Sequence, residues 1–140
     1  MSKTLINSKK RTEILKVLRS TKSHPSARWI YEQVKPKIPS IALGTVYRNI
    51  KICQEAGLAA SVGVINNEER FDGIAEPHPH AVCTKCRKII DIEEMPKTAY
   101  LRLKGFTVDK RRTIFYGNCT KCQHKNLTGR LGQLLNRQIN

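Results

Sequence analysis

The stretch EPHPHAVCTKC, residues 76–86, sets two histidines and two cysteines within a few positions of one another. His78, His80, Cys83 and Cys86 all belong to residue types that ligate metals. The run therefore holds either one mixed site or the meeting point of two. A second cysteine pair bears on the choice. Cys83/Cys86 and Cys119/Cys122 are both C-x-x-C, separated by 32 residues. Each such knuckle can direct two sulfurs at one ion, and four soft thiolates with no open position are the donor set of structural zinc. An iron–sulfur cluster or two redox-active dithiols share the spacing. Zinc is the expectation. Four sulfurs then fill a tetrahedron, and His78 and His80 are surplus to it.

Pro77 and Pro79 bias the backbone around His78 toward extended geometry. Residues i and i+2 of an extended segment point to one side. His78 and His80 can therefore present two imidazoles to a second ion; a pair of surface histidines on a loop is the plain alternative. A two-imidazole site ordinarily recruits carboxylates, and Asp72 and Asp91 flank the stretch in sequence. Sequence spacing does not show whether they converge. A zinc deaminase would need H-x-E beside its P-C-x-x-C, and His78-Pro79-His80 lacks the glutamate. No enzyme is expected.

The elements that must position these residues differ on the two sides. In RTEILKVLRS (11–20), Ile14, Leu15, Val17 and Leu18 fall at helical spacing. In HPSARWIYEQVK (24–35), Pro25 suits a first helical turn, and Trp29, Ile30 and Val34 supply an apolar stripe. Pro36 and Pro39 end that helix. Ser40 is the expected cap of a third helix through IALGTVYRNIKICQEAG, which Gly57 stops. Asn66-Asn67 then reads as a turn between two short strands. Three helices and a hairpin are the order of a winged helix-turn-helix, with the third helix as recognition helix. GIAEP, 73–77, reads as a hinge. Beyond it RKIIDIEE, GFTVDK and RRTIFYGNC read as strands, MPKTAYLRLK as a helix between the first two, and LTGRLGQLLNRQ as a C-terminal helix. The expected fold class is α+β: a winged helix-turn-helix domain over 1–72, a hinge over 73–77, and a small α/β domain over 78–140.

Charge points to the partner. Lys and Arg number 26 against 11 Asp and Glu, a formal net charge of +15. Residues 1–60 carry 12 basic and 3 acidic groups, a net +9, and the remainder a net +6. Such an excess favours a polyanion, with nucleic acid first. No apolar run approaches a bilayer span and the N-terminus lacks a secretory signal, so a cytoplasmic location is expected. In that compartment five cysteines argue against a disulfide framework. Cys53, apart from the others in the third helix, reads as a small core residue.

With these pieces assembled, the chain resembles the ferric uptake regulator (Fur) family, and most closely its peroxide-responsive branch. The marks are SHPSARWIYEQV, IALGTVYRNIKICQEAGL, ERFDG, HPHAVCTKCRKIIDI and FYGNCTKC, in family order and spacing. The resemblance implies a homodimeric repressor that binds double-stranded DNA, with its second domain dimerising. It implies one structural Zn²⁺ per chain on Cys83, Cys86, Cys119 and Cys122. It also implies one regulatory Fe²⁺ or Mn²⁺ per chain on His24, Asp72, His78, His80 and Asp91, a mixed N/O set that suits such ions. Asp91, where iron-uptake members usually carry Glu, favours peroxide sensing. Iron-catalysed oxidation of His24 or His78 would then release metal and DNA. Reversible iron, manganese or zinc sensing is the alternative within the family, and a thiol switch through the C-x-x-C pairs the alternative outside it.

For DNA, Thr45, Tyr47 and Arg48 lie near the start of the third helix with Lys51 one turn on. Tyr47 and Arg48 match family positions that face the major groove, whereas Thr45 and Lys51 suit phosphate. A partly buried, structural Tyr47 is the alternative. At the N-terminus NSKKRTEI departs from the family's usual segment and much of an extra helix is missing, so Lys9, Lys10 and Arg11 are expected to supply its electrostatics.

Overall fold

The computed structural model describes residues 8–95 and 103–124. Contacts divide the chain between His78 and Pro79 into two units. The first opens with α1 (Lys9–Arg19), α2 (Ala27–Val34) and α3 (Leu43–Glu55), followed by the hairpin β1 (Ala60–Ile65) and β2 (Glu68–Asp72). Ile14, Leu18, Ile30, Val34, Val46 and Ile50 converge at 1% exposure or less, so the periodic apolar positions of all three helices meet in one core. Burying side chains of this size contributes roughly 1.5–3 kcal/mol each. Cys53 lies in the same core, 1% exposed, where burial pushes its thiol pKa up.

Two helix starts differ from expectation. The cap of α2 is Ser26, whose hydroxyl accepts from the Trp29 N–H at 3.3 Å. Pro25 stands outside the helix because its carbonyl accepts from the Phe71 N–H at 3.0 Å, tying it to β2. Ser40 does not cap α3. Residues 38–41 close a turn of their own through the Ile41 N–H and Ile38 carbonyl, 2.9 Å, so α3 begins at Leu43 behind Ala42. The far end follows the sequence: Gly57 takes φ 68°, the Leu58 N–H returns to the Cys53 carbonyl and the Gly57 N–H to Gln54. That is the Schellman arrangement, for which a left-handed glycine is the usual solution. Asn66 and Asn67, at φ 56° and 63°, make the expected hairpin turn. Val62 forms a bulge between Ser61 and Gly63.

Gly73 leaves β2 against the last turn of α1. A Cβ placed there would lie 2.8 Å from the Arg19 Cγ and 3.2 Å from its Cα. The close backbone approach explains why glycine follows Asp72. Gly73→Ala is expected to destabilise the first unit by about 1–3 kcal/mol, as other overpacking does, read from the midpoint of urea unfolding followed by Trp29 fluorescence.

Among its described residues the second unit holds a three-stranded sheet in the order β4-β3-β5, with β3 (His80–Cys83) antiparallel to β4 (Ile89–Asp91) and parallel to β5 (Ile114–Gly117). GFTVDK is not a strand. Gly105, at φ 74°, turns the chain between Leu103 and Phe106, and residues 107–109 have no regular structure. Asp109 then accepts from the Arg111 N–H at 3.1 Å and caps a 3-10 turn, Lys110–Arg112. The helix expected over MPKTAYLRLK falls mostly outside the described residues, as does all of LTGRLGQLLNRQ.

Candidate metal centres

The parallel pairing of β3 and β5 places Cys83 opposite Gly117, and the Thr84 N–H extends it to the Gly117 carbonyl at 2.8 Å. Cys119 lies two residues beyond. Cys86 sits on a turn closed by the Arg87 N–H and Cys83 carbonyl at 2.9 Å, with Arg87 at φ 64°. Cys122 turns back through its N–H to the Cys119 carbonyl, also 2.9 Å. The four sulfurs of Cys83, Cys86, Cys119 and Cys122 lie within 4.8 Å of one another, and all are thiols. Cys86 Sγ and Cys119 Sγ are 3.7 Å apart. That is too long for a disulfide and close to the ~3.8 Å edge of a tetrahedron with metal–sulfur bonds of ~2.3 Å. The backbone favours charge on one sulfur: Cys83 Sγ accepts from the Cys119 N–H at 3.4 Å and the Cys86 N–H at 3.5 Å. These bonds lower the Cys83 pKa to about 6. Cys122 is pushed up to about 12, first by its hydrogen bond with the Cys119 sulfur and then by burial. The thiol set fits a closed tetrahedral ion, which would take up all four sulfurs as thiolates.

In the first unit, His24 precedes α2, Asp72 ends β2 and His78 follows six residues later. One carboxylate oxygen serves both imidazoles: Asp72 Oδ2 is 3.3 Å from His24 Nε2 and 3.1 Å from His78 Nε2. The other, Oδ1, accepts from the Ile74 N–H at 2.7 Å, which fixes the carboxylate plane. His78 Nδ1 lies 2.8 Å from the Glu76 carbonyl and donates to it. Its Nε2 therefore presents either a second proton or a lone pair to Asp72. A divalent cation held by both groups would take that lone pair and the carboxylate oxygen together. His24 and Asp72 are 3% and 6% exposed, so that cation would be largely removed from water. The donor chemistry fits a divalent ion of the N/O-preferring kind.

In the second unit, antiparallel register sets His80 opposite Asp91. His80 Nε2 and Asp91 Oδ1 are 3.4 Å apart, with His80 buried and Asp91 half-buried. The two aspartates that spacing alone left unconnected thus each meet a histidine, Asp72 with His24 and His78, Asp91 with His80.

On α3 the candidate DNA residues fall on the outward side. Tyr47 is 49% exposed and lies outside the buried core of the three helices. Arg48 and Lys51 are exposed beside it, and Arg48 Nη2 donates to Thr45 Oγ1 at 3.2 Å. The core side of the same helix carries Val46, Asn49 and Ile50, with Asn49 Nδ2 donating to the Thr45 carbonyl. One long-range contact beside His24 has no counterpart among the residues singled out by sequence. Arg70 reaches the carbonyls of Ser23 and His24, 47 and 46 residues away; its only sequence signal is its place in ERFDG, two residues before Asp72.

Three helices, a two-stranded wing, and a second unit built on a four-sulfur cluster define a class, the winged-helix transcription regulators with a metal-binding second domain. Within that class, the chain belongs to the ferric uptake regulator family, which it matches over residues 2–116. It is 33% identical over 120 residues to the peroxide operon regulator of Bacillus subtilis, covering 82% of each chain. To the peroxide-responsive repressor PerR of Staphylococcus epidermidis it is 32% identical over 120 residues, 82% of this chain and 79% of the relative. Among solved structures, the peroxide stress regulator of Campylobacter jejuni superposes with a TM-score of 0.62 at 34% identity, over 81% of this chain and 88% of that one. The ferric uptake regulator Fur of Helicobacter pylori has a TM-score of 0.66 at 24% identity, over 84% and 81%, and agrees in fold. No helix among the described residues is long and apolar enough to cross a membrane.

Proposed function

We propose that this chain is a homodimeric, metal-dependent repressor that senses hydrogen peroxide. The observation that carries the reading is the single Asp72 oxygen set between the Nε2 atoms of His24 and His78. Kinship at 32–34% identity with proteins named for peroxide response supports the sensing role, as does aspartate rather than glutamate at position 91. Cys83, Cys86, Cys119 and Cys122 hold Zn²⁺ and stabilise the second unit. His24, Asp72, His78, His80 and Asp91 are the proposed ligands of one Fe²⁺ or Mn²⁺. Tyr47 and Arg48 enter the major groove, where an arginine can read guanine with two hydrogen bonds, while Thr45 and Lys51 contact phosphate. Two such helices in a dimer address half-sites about 34 Å apart, and ligands shared by both units let the ion fix that spacing. The coupling required is about 1–3 kcal/mol.

Fe²⁺ held by these residues would mediate transfer of one peroxide oxygen into a ring C–H of a ligating imidazole while the other leaves as water, the imidazole supplying the two electrons overall. His24 or His78 gains an oxygen atom on its ring and loses its value as a ligand, so metal and DNA are released together. The test is mass spectrometry of iron- and manganese-loaded protein after peroxide, with operator binding measured in parallel. The iron form is expected to gain one oxygen, on His24 or His78, and to leave DNA; the manganese form is expected to do neither. Unmodified histidines would instead indicate reversible metal sensing. Zinc release with new disulfides and intact histidines would indicate a thiol switch.

A further inference from the structure

We infer that Arg70 is a positioning residue that holds His24 in ligand geometry, an inference that rests on the metal site proposed above. His24 has a φ of 51°, a left-handed backbone uncommon outside glycine, though histidine adopts it more often than most residues do. Asn66 and Asn67 share that region inside the hairpin turn and Arg87 inside the cysteine knuckle, where turns account for it. His24 lies in no such turn, and Pro25 after it biases it toward extended backbone. Something else must hold it.

Ser23 is held locally by Thr21, whose hydroxyl accepts from the Ser23 N–H at 3.1 Å, but the hydrogen bonds to the carbonyls of residues 23–25 come from β2. Arg70 Nε donates to the His24 carbonyl and Nη2 to the Ser23 carbonyl, the latter at 3.0 Å. Arg70 also pairs with Ser26 as an isolated bridge, and the next residue, Phe71, donates its N–H to the Pro25 carbonyl at 3.0 Å. Residues 23–25 are thereby fastened to β2 carbonyl by carbonyl. A planar guanidinium can span two successive carbonyls in a fixed fork; a lysine ammonium cannot hold both in one plane. The register matters as much. Arg70 and Asp72 are two apart on β2, so their side chains leave the same face of the strand, while Phe71 between them is buried at 2%. One strand therefore supplies the Asp72 carboxylate directly and sets the backbone from which the His24 imidazole reaches it.

The test is a double-mutant cycle on the zinc-loaded full chain, with Mn²⁺ alone as probe and its affinity read by electron paramagnetic resonance of free Mn²⁺. Arg70→Met is expected to weaken Mn²⁺ binding by about 10–100-fold, the range for removing an orienting partner of a ligand. Arg70→Lys, which can keep one carbonyl, is expected to fall between Arg70→Met and the parent. In a His24→Ala background, where no imidazole remains to be positioned, Arg70→Met is expected to change affinity less than twofold. A general structural role would lower affinity by the same factor in both backgrounds, and that additivity would overturn the inference, as would parental affinity in Arg70→Met. If His24→Ala itself binds Mn²⁺ like the parent, the metal site fails and the inference with it, an outcome separable from the first two. Should Arg70→Met fail to fold, Arg70→Lys carries the same cycle.

Discussion

Cys119→Ser is expected to leave the protein without bound zinc and to abolish the cooperative unfolding transition of the second unit. Cys119 contributes twice to the cluster. Its sulfur lies 3.7 Å from Cys86 Sγ, and its N–H donates to Cys83 Sγ. The substitution removes a soft donor from a set of four, and structural zinc supplies an apparent ~10–16 kcal/mol in small metal-dependent folds. The described sheet has little to set against such a loss. It has three short strands, and of its larger apolar side chains only Val82 and Ile89 are buried in the described residues, beside Cys83. Zinc content by a chromogenic chelator after denaturation, and thermal unfolding by calorimetry, measure the two effects. A full equivalent of zinc retained by Cys119→Ser would refute the four-sulfur site. In the first unit, the core of α1, α2 and α3 is expected to unfold at its usual temperature, because none of its packing includes the cluster.

The second large effect belongs to Asp72→Ala. Asp72 Oδ2 faces both His24 Nε2 and His78 Nε2, so its loss removes the one anionic group the two imidazoles share. Affinity for Mn²⁺ is expected to fall by at least ~100-fold, about 2.7 kcal/mol, and added Mn²⁺ should no longer promote operator binding in a gel shift. Zinc content should be unchanged, which separates this outcome from misfolding. Asp72→Asn is the sharper comparison, because it can keep an acceptor for the Ile74 N–H while removing the charge. Manganese-stimulated DNA binding by Asp72→Asn at parental metal concentrations would contradict the assignment.

The parts of this molecule that were legible in its sequence are those decided locally. Apolar spacing in RTEILKVLRS and ARWIYEQV announced α1 and α2, Gly57 announced the end of α3, and Asn66-Asn67 announced the hairpin. Each depends on neighbours within a few residues. Sequence pattern and structure part where distant chain competes for a backbone group. Pro25 looked like a helix start until its carbonyl was taken by Phe71, and Ser40 looked like a cap until Ile41 turned inward to Ile38. GFTVDK has the β-branched and aromatic content of a strand, but Gly105 and Asp109 divert its two ends into turns. At the site, the cysteine knuckles could be read directly because C-x-x-C carries its own geometry. The meeting of Asp72 with His24 could not, because a strand and a loop 48 residues apart must first be fastened together, and the residue that fastens them, Arg70, has no signature of its own.

The sulfur cluster also has a consequence in polymer terms. An ion bound to these sulfurs would join Cys86 to Cys119 and close a ring with 32 residues between the knuckles, β4 and β5 among them. The entropy of closing a flexible ring grows only with the logarithm of its length, so doubling that span would cost about 0.6 kcal/mol. A clasp of this kind is indifferent to how much chain it encloses. Such a clasp would hold the ends of β3 and β5 together whatever the length of chain between β4 and β5.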